Sequence, residues 1–322
     1  MKKIILFKLL CLSLLFISCN SSSSSYWMDN PTQDPITVYI DEQVYEIPAN
    51  TKIKIDLEFG KHQLKYKDQK LTFHNGGRVN KSQAIINPTQ SNYVFYKQLY
   101  MDTKDERSTD DFAAWALQTQ SDSIRLVVND TIRTLFVPFQ VSNQVFISKS
   151  DFDWKYNIDE PMPKEVDLSN PIVTRKNRQL LKDSNYQAGR FQETVYKIYR
   201  EQDFFAFIQE VSKDKIAFLV EKIPYANLPK EKVVLTKVNE IKDATYKKAI
   251  EQRMDEFNQW LDMKGSQSTS GFKDFFFSQK IPDLRTSFLN QYPGDFSFNQ
   301  ATNELNEQLN VFVLHQLNII EE

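Results

Sequence analysis

Lys52-Ile53-Lys54-Ile55-Asp56-Leu57 is the stretch that decides the fold class. Apolar and charged residues alternate one for one. In an extended strand this puts Ile53, Ile55 and Leu57 on one face and Lys52, Lys54 and Asp56 on the other. A strand with one apolar face needs neighbours beside it and a second layer over it.

The flanking sequence repeats the pattern. Ile36-Thr37-Val38-Tyr39-Ile40 alternates, Asp41-Glu42 turns, and Val44-Tyr45-Glu46-Ile47 follows. Beyond the turn Phe59-Gly60-Lys61 come His62-Gln63-Leu64-Lys65-Tyr66 and Lys70-Leu71-Thr72-Phe73. Asn75-Gly76 reads as a tight hairpin turn. The longest strand expected is Tyr93-Val94-Phe95-Tyr96-Lys97-Gln98-Leu99-Tyr100. Short strands with turn signals between them predict a small antiparallel β-sandwich over residues 35–102. The order Val38-Tyr39-Ile40-Asp41, then Ile47-Pro48-Ala49, then Phe59-Gly60-Lys61-His62-Gln63-Leu64 resembles PEGA-type surface β-domains, although Glu42-Gln43 stands where such domains carry glycine.

Residues 103–169 read as a second β-rich region. Phe112-Ala113-Ala114-Trp115-Ala116-Leu117 is expected to be a short helix. Ile124–Val128 and Ile132–Val137 flank Asn129-Asp130-Thr131 as a hairpin, and Gln144-Val145-Phe146-Ile147 is a further strand. The domain boundary is expected near Asn170-Pro171. Beyond it the period moves towards 3.6. Residues 243–263 carry Tyr246, Ile250, Met254, Phe257 and Leu261 on one helical face, and Gly265 ends the run. Residues 302–320 place Leu305, Leu309, Phe312, Val313 and Leu317 together, and residues 191–209 are a further expected helix. The class is therefore α+β: N-terminal antiparallel β-sandwich-like modules, then a mainly α-helical region over residues 170–322.

The first eighteen residues follow a different logic. Lys2 and Lys3 precede an apolar run from Ile4 to Ile17 that is interrupted by Lys8 and Ser13. That run is about 14 residues long, short of the roughly 20 a membrane-spanning helix needs. A positive end, a short apolar core and a small residue at the cut describe an export signal. Leu15-Phe16-Ile17-Ser18-Cys19 resembles a bacterial lipobox, which identifies residues 1–18 as a lipoprotein signal peptide and Cys19 as the lipidation site. The resemblance implies diacylglycerol on the Cys19 sulfur, usually with a further N-acyl chain, and several chains hold a body to a membrane more firmly than one. Residues 19–34, with Ser21 to Ser25, read as a flexible tether. In lipoproteins of the Bacteroidetes type an acidic run after the cysteine marks export to the cell surface. Here Asp29 is the first carboxylate, so the expectation is a periplasm-facing outer membrane lipoprotein.

Composition narrows the function classes. Removing Lys2, Lys3 and Lys8 with the leader lowers the basic count from 40 to 37 against 42 acids, a net charge of −5. Long-range charge therefore recruits neither nucleic acid nor anionic lipid. Cys11 leaves with the leader and Cys19 carries lipid, so no disulfide is expected, and stability rests on packing by 24 Phe, 14 Tyr and 4 Trp. With 7 glycines, of which only Gly76 and Gly77 adjoin, neither Gly-x-Gly-x-x-Gly nor Gly-x-x-x-x-Gly-Lys-Ser/Thr is present, and no cofactor is implied.

The chemistry-bearing residues give no catalytic motif. His62, His74 and His315 make no metal-ligand spacing. The Ser-x-x-Lys pairs Ser212/Lys215 and Ser270/Lys273 have no accompanying Lys-Thr-Gly, and Gly-x-Ser-x-Gly is absent. Asp110-Asp111, Asp151/Asp153 and Asp159-Glu160 are pairs of the kind glycosidases use. Asp151-Phe152-Asp153-Trp154-Lys155-Tyr156 interleaves acids with rings, so Asp151, Asp153, Trp154 and Tyr156 are the possible ligand contacts, with a glycan as the possible ligand. Phe204-Phe205-Ala206-Phe207 and Phe275-Phe276-Phe277 exceed one helical face and are expected to pack between domains or to meet a partner. The leading expectation is a lipid-anchored envelope protein that binds another envelope protein and is not an enzyme. The alternative is a glycan-binding or glycan-processing protein centred on Asp151 to Tyr156.

Overall fold

A computed structural model of the chain describes residues 22–76, 84–101, 121–168, 192–209, 213–276 and 280–321. The fold is α+β. Its centre is β1 (Ser23–Asn30), which pairs antiparallel with β4 (Thr51–Glu58) along its whole length and parallel with β7 (Ala84–Ile86), while β12 (Phe146–Ser148) lies on the far side of β7. A second sheet runs β15 (Leu317–Ile320), β6 (Gln69–Asn75), β5 (Gly60–Tyr66), β2 (Ile36–Ile40), β3 (Gln43–Ile47). The alternation in β4 does what its sequence predicts: Ile55 and Leu57 are buried and Ile53 packs beside them. They meet Val38, Ile40, Leu64 and Phe73 of the second sheet, so two sheets share one apolar core.

The first sheet is covered on its other side as well. A third sheet, β11 (Phe139–Ser142), β8 (Tyr93–Met101), β13 (Gln192–Arg200), packs Tyr93, Phe95 and Ile198 against Ile85 and Ile147. Its far face carries Val94 and Tyr199, which join Leu126 and Val128 of a fourth sheet, β10 (Thr131–Val137), β9 (Asp122–Val128), β14 (Ile216–Phe218). Phe204 of the short helix α1 (Glu201–Gln209) closes that core. The aromatic run Phe204 to Phe207 therefore serves packing around β8, β13 and β9.

Four helices make the remaining body: α2 (Ala244–Asp262), α3 (Gly265–Phe276), α4 (Lys280–Gln291) and α5 (Ser297–Leu314). Asp243 caps α2 by accepting from the Thr245 and Tyr246 amides. Tyr246, Ile250 and Phe257 face inward as the spacing predicts, and Trp260 joins them. Phe272 and Phe275 of α3, Phe288 of α4, and Leu305, Leu309 and Phe312 of α5 complete this core.

Several expectations are corrected. The flexible tether is wrong from Ser23 onward: Ser23-Ser24-Ser25 begin the central strand, and Met28, Asp29 and Asn30 are buried between two sheets. Residues 191–209 are not one helix. Gln192–Arg200 is a nine-residue strand paired with β8, and only Glu201–Gln209 is helical. The helix expected to reach residue 320 stops at Leu314, after which Leu317–Ile320 joins β6 as a strand. Asn75-Gly76 is not a hairpin turn, because β6 and β7 belong to different sheets. Asn75 is buried, accepting from the Tyr26 hydroxyl at 2.6 Å and donating to the Leu57 and Glu58 carbonyls. The hairpin Ile124–Val128/Ile132–Val137 is present in the register Val128↔Thr131. Cys19, the helix expected around Trp115, Asp110-Asp111, Ser212, Phe277 and the boundaries at residues 102 and 170 lie outside the described residues. Among the described residues, no helix is long and apolar enough to cross a membrane.

Candidate functional site

The site begins where the second sheet runs out of strands. β15 ends at Ile320, opposite Thr72, so it does not extend along Gln69, Lys70 and Leu71 of β6. Residues 222–230 pass beside that stretch and leave a cleft of about 820 Å³. That volume lies within the roughly 300–1,000 Å³ of small-molecule sites. Tyr66, Leu71 and Tyr225 supply apolar walls, and Thr72, Thr89 and Gln90 supply polar ones.

The outer wall is pinned by side-chain hydrogen bonds. The Tyr225 hydroxyl donates to the Pro88 carbonyl at 2.6 Å, and the Tyr225 amide donates to Gln69 Oε1 at 2.8 Å. Gln90 Nε2 donates to the Ile223 carbonyl at 2.8 Å, and Lys222 Nζ to the Thr89 carbonyl at 2.8 Å. A wall held this way is formed before any ligand arrives, which lowers the ordering cost of binding.

The charge of the cleft opposes that of the chain. Among the described residues Lys67, Lys70, Lys222 and Lys230 line it with Asp68 as the one acid, in a protein of net charge −2. Lys67 sits in the β5–β6 turn at φ 55, with its Nζ 5.3 Å from the centre of the Tyr66 ring. Partial burial, and then the positive charge of Lys67, push the Lys222 ammonium below its ordinary range. Like charges held near one another in a cleft attract an anion more strongly than scattered surface lysines do.

A second polar cluster is closed to solvent at its centre and open at Asp159. Asp29 of β1 is 0% exposed and accepts Arg200 Nε at 2.9 Å and Nη2 at 2.6 Å. Tyr93, the cross-strand partner of Arg200, donates its hydroxyl to the same carboxylate at 2.5 Å. Burial and the neighbouring Asp29 charge hold the Tyr93 hydroxyl well above its usual range, so the proton stays on tyrosine. Arg200 also approaches Asp159 at 3.5 Å, and Asp159 pairs with Lys52 at 2.7 Å. Beside it, burial pushes the Lys197 ammonium down to about 8, and its Nζ donates to the Asn157 and Ile158 carbonyls at 2.8 and 3.1 Å. Every member named here has a partner, and the cluster fastens the first sheet to the third.

The residues singled out by sequence are dispersed. Trp154 is 1% exposed and packs with Phe95, Ile147 and Ile198, so its face is closed to a sugar ring. Tyr156 is half-buried and bridges to Lys197, while Asp151 and Asp153 are exposed, Asp151 lying 3.5 Å from His315 Nε2. Asp159 belongs to the Arg200 cluster, and Glu160 accepts the Asn157 amide. His62 is buried, between Asp41 at 2.7 Å and the Glu58 carbonyl at 2.8 Å. His74 is 0% exposed, and among the described residues neither ring nitrogen has a hydrogen-bond partner. Among the described residues no three His, Cys, Asp or Glu side chains form a metal-binding group. Ser270 and Lys273 are exposed on α3.

Sequence reasoning did not find the cleft. Its lysines come in two pairs separated by about 150 residues of chain, and only the fold places them together. Comparison with protein families, curated proteins and solved structures finds no match to this chain.

Proposed function

We propose that the chain is a lipid-anchored protein of the cell envelope whose body binds a ligand in the cleft beside β6 and does not transform it. The observation that carries the binding part is the preformed cleft, walled by residues 222–230 and pinned to Thr89 and Gln90. The anchor rests on Leu15-Phe16-Ile17-Ser18-Cys19, and the lack of a carboxylate between Cys19 and Asp29 supports a periplasm-facing body at the outer membrane. The start of β1 at Ser23 adds a distance. Four residue steps separate Cys19 from Ser23, which is at most about 14 Å of extended chain, so the body rides close to the lipid surface.

Fractionation tests the anchor. Cys19→Ala is expected to leave the membrane pellet and to lose incorporation of a labelled fatty acid. A variant that stays in the pellet with labelling intact overturns the anchored reading.

A further inference from the structure

We infer that the cleft beside β6 is a site for a phosphate-bearing anion, held by Lys67, Lys70, Lys222 and Lys230. The inference rests on the binding role proposed above and names the chemistry that role requires.

The first argument is the donor set. Among the described residues the cations that line the cleft are all lysines. A planar carboxylate is best met by the two-pronged guanidinium of arginine, whereas ammonium groups act as point charges that suit an anion with several oxygens and more than one charge. Lys67 in the β5–β6 turn and Lys70 at the start of β6 line one wall, while Lys222 and Lys230 belong to the segment that forms the other. An anion between the walls has a cation on each side.

The second argument is electrostatic cost. After burial, the Lys67 charge disfavours the charged form of Lys222, and Glu201 partly offsets it. A bound anion removes that repulsion, so part of its affinity comes from relief of an existing strain between charges. Asp68 lies on the rim and offsets one of the four charges.

The third argument is position. The anchored end of the molecule is marked by Ser22, whose carbonyl accepts the Phe59 amide next to the start of β5. The Lys67 turn lies at the other end of β5, seven residues on, or roughly 20 Å along the strand. That placement directs the cleft away from the point where lipid enters and favours a phosphate presented by the aqueous phase over a headgroup of the anchoring membrane.

The test uses the detergent-solubilised full-length protein and calorimetric titration with three probes: inorganic pyrophosphate, dihexanoyl phosphatidylglycerol below its micellar concentration, and malonate. Saturable binding of either phosphate probe is expected. It should weaken by about tenfold or more in Lys67→Gln/Lys222→Gln, stay unchanged in the exposed helix variant Lys248→Gln, and fall as salt rises from about 50 to 200 mM, as screening demands. Tighter binding of pyrophosphate identifies the aqueous source, and tighter binding of the short-chain lipid identifies a headgroup; both support the site. Binding of neither phosphate, equal binding by the double variant, or malonate binding as tight as pyrophosphate overturns it. The membrane partition of Cys19→Ala is read on a separate sample, so loss of the anion site and loss of the anchor are told apart.

Discussion

Two internal junctions of this protein are built on opposite terms. Where the first sheet meets the third, the contact is ionic: Asp29, Arg200 and Tyr93 are buried together and satisfy one another. Where the second sheet meets the helices, the contact is a tilted pair of rings and a few backbone hydrogen bonds. His74 lies with its ring centre 4.4 Å from that of Trp260, the Gly76 amide donates to the Gln316 carbonyl, and the Gly265 amide donates to the Phe59 carbonyl. The difference is one of what each junction tolerates. A buried ion pair offsets its desolvation only with close geometry and full hydrogen bonding, and it is intolerant of losing one member. A tilted ring contact around a buried imidazole keeps its strength only while the imidazole stays neutral.

The largest effect is expected at the ionic junction. Arg200→Met strips Asp29 of two hydrogen bonds and its countercharge at a site without solvent. Breaking such a pair costs about 3–5 kcal/mol, read as a lower urea midpoint. The double variant Asp29→Leu/Arg200→Met removes both charges and should recover a large part of that loss. A double variant no more stable than Arg200→Met would show that the shape of the pair, and not its charge, holds the sheets together.

At the helical junction the most exacting position is Gly60. Its φ of +121° is a conformation that side chains rarely adopt, and a Cβ there would stand 2.5 Å from the Met263 carbonyl oxygen at the end of α2. Gly60→Ala is expected to cost about 2–3 kcal/mol through backbone strain and displacement of that carbonyl. Hydrogen exchange should place the loss in α2 and β5 while β8 and β13 stay protected. Equal loss of protection at both junctions would mean that the two are one cooperative unit.

The contrast also explains what was legible in the sequence. β4 was readable because one of its faces is buried and the other wet, so apolar and charged residues alternate. β13 was not, because Lys197 and Arg200 are buried in it and stand where a simple pattern needs apolar residues. β1 hid behind Ser21 to Ser25, which read as linker, although the strand they open is covered by sheets on both faces. β15 continued a helical spacing past His315, and its fate was set by the open edge of β6 rather than by local preference. The helical core around Ile250 and Phe257 was readable because each helix buries one stripe. The candidate cleft depends on bringing residues 67–70 against residues 222–230, and no local signal encodes that approach.

The smallest effect, and the one that separates the junctions most cleanly, is the response to acid. Burial, and then the nearby His62, push the His74 imidazole down to about 3, against about 6.5 for a free histidine. Between those values the unfolded chain takes up a proton that the folded chain refuses, so stability falls as pH drops below about 6.5 and this loss ends near 3. Above about 6.5 both states hold the ring neutral and the group has no effect. From pH 7.5 to 5.5 the expected loss is about 1.4 kcal/mol, one pH unit below the unfolded value. His74→Leu keeps an apolar group of similar size against Trp260 and gives up no hydrogen bond to any described residue. Urea titrations at the two pH values should therefore show the variant losing about 1.4 kcal/mol less than the parent. His62 with Asp41, and the Asp29 cluster, are present in both proteins, so their titration drops out of the difference. An identical pH slope in parent and variant would mean that His74 finds a proton acceptor as it charges, and the helical junction would then be as well satisfied as the ionic one.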